Sequence, residues 1–153
     1  MRAITRIHPI AVGSALLSLT GLGFAGYLLV PAGSSSGGIV AGFAVALALV
    51  VGTTSLVAFG EAVLLAVTVN RSDPEGWPRR LLLAGTAAGG LSSVLPPLAM
   101  GLTFVTERGT ALNTLGYRAL APLFGAWLVL AVVGFLVTVA GAAGLSAGVS
   151  RGN

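Results

Sequence analysis

Four long apolar segments, separated by short polar stretches, constrain this chain more than any other feature of its sequence. They cover residues 10–30, 38–69, 81–106 and 119–150. Each is long enough for a helix that crosses about 30 Å of hydrocarbon, which takes about 20 residues. Since a segment in lipid must satisfy its own backbone hydrogen bonds, helices are expected. The sequence therefore predicts an all-α integral membrane four-helix bundle with up-down topology, with residues 1–153 as a single transmembrane domain.

The composition agrees with a membrane location. Hydrophobic residues make up 56% of the chain and charged residues 8%, whereas about a quarter of the residues in a soluble domain are charged. The basic residues are all arginine, and the usage is rich in alanine, glycine, valine and leucine. Such usage is typical of GC-rich prokaryotic genomes, so we expect a multi-pass protein of a prokaryotic cell membrane.

The arginines are distributed unequally between the two ends of the predicted helices. If the N-terminus is cytoplasmic, six arginines lie on that side and two on the other. The six are Arg2, Arg6, Arg71, Arg79, Arg80 and Arg151, and the two are Arg108 and Arg118. Because positive residues concentrate on the cytoplasmic side, we expect both termini there.

The first apolar segment has a second interpretation. Arg2 and Arg6 precede it, as basic residues precede the apolar core of a signal peptide. That core usually has about 7–15 residues, and segment 10–30 is longer. We therefore expect this segment to remain as a membrane span.

Several kinds of chemistry are excluded by residues that the sequence lacks. It has no cysteine, no lysine and one histidine, His8, so thiolate metal sites, two-histidine metal sites and a Walker A loop are absent. The arginines form no basic stripe with interleaved aromatics, which argues against nucleic-acid binding. We expect no enzymatic activity, no cofactor and no metal site.

Small residues recur four positions apart within the apolar segments, a spacing that lets two helix backbones approach closely in lipid. The pairs are Ser14 with Ser18, Gly38 with Gly42, Gly85 with Gly89, and Gly144 with Gly148. Such pairs serve either contacts with another membrane protein or a second copy, or packing among the chain's own helices. With 23 glycines in the chain, this spacing also arises by chance, which favours packing within the chain.

Glu61 is the one ionisable residue within an apolar segment. A carboxylate in hydrocarbon is costly unless it is protonated, paired or hydrated, and intramembrane ionisable residues often mark functional sites. Pro96 and Pro97 lack the N–H groups that would bond the carbonyls of Ser92 and Ser93, so they predict a helix break. These five residues form a candidate intramembrane polar or ion site. The alternative is a structural glutamate and a kink satisfied by the two serine hydroxyls.

Two polar stretches, residues 70–80 and 107–118, are predicted to be loops. The alternative for the second stretch is a short helix at the membrane surface. With so few catalytic groups, the sequence favours a non-catalytic accessory, assembly or interaction subunit of a membrane complex. The bilayer and another membrane helix are its expected partners. The alternative is a small ion- or proton-coupled transporter or channel subunit that uses Glu61 and the Pro96–Pro97 break.

Overall fold

The computed structural model describes residues 8–34, 38–72, 76–106 and 110–150, and these residues form five helices. The helices are α1 (Pro9–Ser34), α2 (Ile39–Ser72), α3 (Trp77–Ser92), α4 (Leu95–Thr106) and α5 (Thr110–Ser150). Four spans are long and apolar enough to cross a membrane: Pro9–Val30, Ala41–Val69, Trp77–Leu102 and Leu120–Ala147. The third span consists of α3 and most of α4. The chain is an all-helical bundle compatible with a multi-pass membrane protein.

The third predicted helix is divided into two. The α-helical hydrogen bonds of α3 end at Ser93, whose N–H donates to the carbonyls of Gly89 and Gly90 at 3.3 and 3.2 Å. A new helix then starts at Leu95, so Pro96 and Pro97 lie in the first turn of α4. Proline is tolerated there because first-turn N–H groups have no partner within the helix.

The polar stretch 107–118 is not a loop throughout. Helix α5 begins at Thr110, whereas the apolar pattern places its start at residue 119. Polar residues keep this stretch out of the hydrocarbon, but they do not end a helix. A proline would interrupt the helical hydrogen bonds, and residues 110–121 contain none. Pro122 consequently lies inside α5 rather than near its start.

Helix α3 occupies the centre of the bundle. It packs against α1, α2 and α5, while α1 packs along α2 and α4 packs along α5. The span formed by α3 and α4 is the most buried of the four. Gly76, with φ of +83°, precedes α3 and allows the turn into it. Helix α3 therefore lies between the other helices, and α1 and α2 each contribute about as many buried residues as α3 does.

The interior is built from small and hydroxyl-bearing side chains. On α1 the buried residues recur at alternating intervals of three and four, namely Ala11, Ser14, Ser18, Gly21, Ala25 and Leu28. Large apolar side chains such as Leu16, Phe43 and Val132 are exposed. This distribution suits lipid as a solvent, since burial of apolar groups does not drive helix association there, whereas close backbone packing does.

Two apolar clusters fix the relative levels of the helices. One joins Ala11 near the start of α1, Leu65 near the end of α2 and Leu82 near the start of α3. The other joins Ala25, Val51 and Trp127. Residues on different helices can therefore be assigned a common level along the bundle.

Candidate functional site

Glycines on α3 and α5 bring these two helices into backbone contact. A Cβ added at Gly134 would lie 2.9 Å from the backbone N of Gly89 and 3.1 Å from the carbonyl O of Gly85. A Cβ added at Gly141 would lie 2.9 Å from the backbone N of Leu82. No side chain at either glycine fits without moving a helix, so α3 and α5 form the tightest interface around the candidate site.

One side-chain hydroxyl, that of Ser14, joins α1 to α3. The Ser14 hydroxyl donates to the carbonyl of Thr86 at 2.7 Å, and the Ser18 hydroxyl donates to the carbonyl of Ser14 at 2.7 Å. Ser14 lies directly against Gly90, where an added Cβ would meet the Ser14 Cα at 2.8 Å. Ser14, Ser18, Gly85 and Gly89 thus all lie in contacts within the chain.

The Glu61 side chain is 5% exposed and lies against Gly89 of α3. Its Oε2 atom has no hydrogen-bond partner among the described residues. Its backbone carbonyl accepts a long hydrogen bond, 3.5 Å, from the hydroxyl of Thr86. A buried carboxyl oxygen without a partner is costly, so Glu61 is the most distinctive polar group of the interior.

Thr138 of α5 lies beside Glu61, against the same face of α3. Its side chain is 3% exposed and lies against Gly85, one turn before Gly89, and its hydroxyl has no hydrogen-bond partner among the described residues. Glu61 and Thr138 therefore contact neighbouring turns on one face of α3, and their side chains lie close enough to each other to interact.

Both residues line a groove on the outer surface of the bundle, which we call the α2–α5 groove. Two adjoining cavities form it, of about 260 and 290 Å³, and they share Val57 and Phe135. Its α2 side consists of Thr53, Thr54, Val57, Gly60, Glu61 and Leu64. Its α5 side consists of Ala131, Val132, Phe135, Leu136, Thr138, Val139 and Ala142. The groove is apolar except at its threonines and Glu61.

The level of Glu61 follows from its contacts. Thr86, which bonds the Glu61 carbonyl, lies six residues after Arg80 on α3. At about 1.5 Å per residue, Glu61 lies about 9 Å along the bundle from Arg80. Arginines and Trp77 at the start of α3 suit the membrane surface. Half of the hydrocarbon core is about 15 Å, so the Glu61 carbonyl lies well inside one leaflet, and its side chain, which contacts Gly89, lies deeper still.

The helix break lies about one turn beyond Glu61. The Ser92 and Ser93 hydroxyls donate to the Gly89 carbonyl, at 2.7 and 3.3 Å, and not to the carbonyls that the prolines leave free. The Ser93 carbonyl instead faces α1, where a Cβ added at Gly21 would lie 2.8 Å from it. Gly89 thus lies between Glu61 and the two serines. Of the five residues predicted to form one polar site, Glu61 lies at one level of the bundle, and Ser92, Ser93, Pro96 and Pro97 lie about one turn further along it.

Ser55 of α2 lies at the level of the break. Its hydroxyl is fully buried, faces Gly21 beside the Ser93 carbonyl, and has no hydrogen-bond partner in the described part of the chain. Pro96 is also fully buried, whereas Pro97 is half-buried. The break therefore belongs to the enclosed interior and does not reach the α2–α5 groove.

The remaining predicted packing glycines have different surroundings. Gly38 and Gly42 are exposed, and a Cβ added at either would meet nothing within 4 Å. Gly144 lies beneath the indole of Trp77, whose Cη2 atom would be 2.5 Å from an added Cβ. Gly148 belongs to α5, but its surroundings lie outside the described residues.

Four residues of the interior were not identified from the sequence: Thr138, Ser55, Gly134 and Gly141. A signal for Thr138 exists, because it is the one hydroxyl-bearing residue between Pro122 and Ser146. Among the described residues, no group of three or more His, Asp or Glu side chains is placed to hold a metal ion. Comparisons with protein-family models, with curated proteins and with solved structures find no match to this chain.

Proposed function

We propose that this chain is a small non-catalytic membrane protein that acts as an accessory, assembly or interaction subunit of a membrane complex. The observation that carries this proposal is a set of helical glycines that face outward. Each is exposed and has open space where a Cβ would stand: Gly23, Gly26, Gly42, Gly60, Gly101 and Gly125.

Such glycines gain nothing from contacts within the chain. Each costs about 1 kcal/mol of helix stability relative to alanine, although an alanine would fit at every one of these positions. A close approach by another membrane helix gives exposed glycine a use, because it allows backbone contact in lipid. The partner in this proposal is another membrane protein or a second copy of the chain.

We further propose an up-down bundle with cytoplasmic termini in the membrane of a prokaryotic cell. In support, one apolar cluster joins the start of α1, the end of α2 and the start of α3, as alternating helix directions require. The six arginines assigned to the cytoplasmic side of such a bundle support its orientation.

The alternative function is a small ion- or proton-coupled transporter or channel subunit. The unpartnered, buried Oε2 atom of Glu61 favours it, since intramembrane carboxyl groups commonly serve ion and proton pathways. Against it, both cavities that form the α2–α5 groove lie on the outside of the bundle. A transport pathway would therefore require a second chain to cover this groove.

The proposal is tested by native mass spectrometry of the protein extracted gently from its own membrane. We expect the chain to carry a second, different polypeptide. Leucine is then placed separately at Gly26, Gly42, Gly101 and Gly125, one position on each of four helices. Because all four positions are open, the variants should fold, and at least one should lose the partner.

Two results would contradict the accessory role. One is a bare monomer in the native extract, and the other is retention of the partner by all four leucine variants. A closed homo-oligomer without other chains favours the transport alternative. In that case Glu61→Gln should abolish a pH-dependent ion flux in liposomes, while unchanged flux removes Glu61 from any transport mechanism.

A further inference from the structure

We propose that the arginine-rich end of the bundle binds anionic phospholipid, with the phosphate of one lipid at Arg80 on the exposed face of α3. This inference goes beyond the accessory role and does not depend on it, nor on which side of the membrane this end occupies. It rests on the arginines that converge at one end, the difference in charge between the two ends, and the exposed pair of Trp77 and Arg80.

Six arginines belong to one end of the bundle. The apolar cluster of Ala11, Leu65 and Leu82 joins the start of α1, the end of α2 and the start of α3 there, and Leu145 near the end of α5 packs against it. The arginines are Arg2 and Arg6 before α1, Arg71 in α2, Arg79 and Arg80 in α3, and Arg151 after α5. All four spans therefore contribute arginines to the same end.

The two ends of the bundle differ in charge. Six arginines and two carboxylates, Asp73 and Glu75, give the first end a side-chain charge of +4. Arg108, Arg118 and Glu107 give the opposite end a side-chain charge of +1. A group of about four to eight basic residues beside membrane helices attracts anionic lipid headgroups, and each such residue raises the affinity about fivefold. Anionic lipid is therefore favoured at the first end.

Arg80 and Trp77 form an exposed pair at the start of α3. They are three residues apart, a spacing that makes two side chains neighbours on a helix. Trp77 is 60% exposed, and its indole also lies against Gly144 of α5, which holds the ring in place. Tryptophan favours the headgroup level of a membrane, and the planar guanidinium of arginine fits the oxygens of a phosphate. The pair therefore offers a lipid headgroup both a charge and an aromatic surface.

The exposed face of α3 continues from Arg80 into the membrane as an apolar surface. Ala84 and Leu91 are exposed on this face, about one and three turns beyond Arg80, and neither α3 nor α4 contains a charged residue after Arg80. A phosphate at Arg80 thus leaves the acyl chains of its lipid against apolar side chains. A soluble anion or an acidic protein segment brings the charge without the hydrocarbon, so a phospholipid fits this face better.

Trp77 reports on the lipid beside Arg80, because bromine atoms on an acyl chain quench the fluorescence of a nearby indole. Trp127 is buried, so it contributes less to the quenching. The protein is reconstituted in vesicles of phosphatidylcholine and phosphatidylglycerol, with bromine in the chains of one lipid or the other. We expect stronger quenching by brominated phosphatidylglycerol at equal mole fraction. This preference should fall about fivefold in Arg80→Gln and persist in Arg80→Lys, which keeps the charge.

Arg118→Gln is the matched control. Arg118 is also an exposed arginine, but it precedes Gly144, the residue that Trp77 contacts, by about 39 Å of helix α5. Its loss should leave the lipid preference at Trp77 unchanged.

Equal quenching by the two brominated lipids would overturn the proposal, and so would the same loss of preference in Arg80→Gln and Arg118→Gln. If inorganic phosphate removes the preference while chloride of the same ionic strength does not, Arg80 binds a soluble anion and not a lipid. If Arg80→Gln releases a polypeptide from the native extract while the lipid preference persists, the arginine contacts a protein. Each of these results contradicts the proposal.

Discussion

The substitution Gly134→Ala should destabilise the bundle, because it places a methyl group in the close contact between α3 and α5. The added methyl group would stand 2.9 Å from the backbone N of Gly89 and 3.1 Å from the carbonyl O of Gly85. These are backbone atoms that no side-chain rotation can move. The helices must therefore separate by about half an ångström to reach ordinary contact, a strain of the kind that costs about 1–3 kcal/mol in packed cores. Alanine recovers about 0.5–1 kcal/mol of helix stability over glycine, which leaves a net loss of about 1–2 kcal/mol.

The matched control is Gly125→Ala on the same helix, where an added Cβ meets nothing within 4 Å. At this position we expect only the higher helix propensity of alanine to act, so the free energy of unfolding should stay the same or rise by about 0.5 kcal/mol. The assay is unfolding in mixed micelles by increasing SDS, followed by the fluorescence of the two tryptophans, of which Trp77 is exposed and Trp127 is buried in the cluster with Ala25 and Val51. If the two alanine variants unfold at the same SDS fraction, α3 and α5 are not in backbone contact, and the assignment of Gly134 is wrong.

Two further predictions concern hydrogen bonds. Ser14→Ala removes the hydrogen bond to the Thr86 carbonyl and should destabilise the bundle by about 0.6 kcal/mol in the same assay. The control Thr20→Val loses only an exposed hydrogen bond to its own helix and should change the stability little. If both variants lose the same stability, the hydrogen bond between α1 and α3 does not stabilise the bundle. Pro122→Ala restores an N–H inside α5 and should raise the SDS midpoint, because interior proline costs a helix about 3 kcal/mol. An unchanged midpoint would indicate that Pro122 carries no such cost.

The number of membrane spans could be predicted because length and apolarity alone decide it. The start of α5 could not. The polar stretch 107–118 was interpreted as a loop or a short interfacial helix, yet α5 begins at Thr110 and continues without a break into the fourth span. In lipid, apolarity reports where a segment leaves the hydrocarbon, while proline, glycine and backbone hydrogen bonding decide where a helix stops. The break before Pro96 was predictable for this second reason.

The buried faces of the helices could not be read from hydrophobic periodicity, since every helix is apolar all round. The periodicity that does mark the interior belongs to small residues. On α1 it runs through Ala11, Ser14, Ser18, Gly21 and Ala25 at alternating intervals of three and four, the spacing of a helix-packing seam. Only the Ser14–Ser18 part was recognised, because a spacing of four alone does not distinguish an inward from an outward face.

Glu61 was identifiable from sequence because it is the one charge in an apolar segment, but its neighbours were not. Ser92 and Ser93 were expected beside it, and they bond Gly89 on the far side of the Glu61 contact. The hydroxyl-bearing residue next to Glu61 in the groove is Thr138 instead, because α5, and not the helix break, lies beside α2 at that level. This pairing depends on the relative positions of α2, α3 and α5, which no spacing within one segment encodes.

The buried polar groups divide into those that have hydrogen-bond partners and those that do not. The Ser14 hydroxyl donates to a backbone carbonyl of α3 and so joins two helices, whereas the hydroxyls of Ser18, Ser92 and Ser93 donate to carbonyls three or four residues earlier in the chain. Four side-chain atoms among the described residues remain unsatisfied, in Ser55, Glu61, Trp127 and Thr138. Each costs about 1–3 kcal/mol while it stays so. Ser55 faces the α1 backbone and Trp127 lies in the apolar cluster, so a molecule from outside reaches them only if helices move. Glu61 and Thr138 line the α2–α5 groove with their apolar parts, but their unsatisfied oxygens are enclosed against Gly89 and Gly85 of α3, so these oxygens too are reached only if helices move.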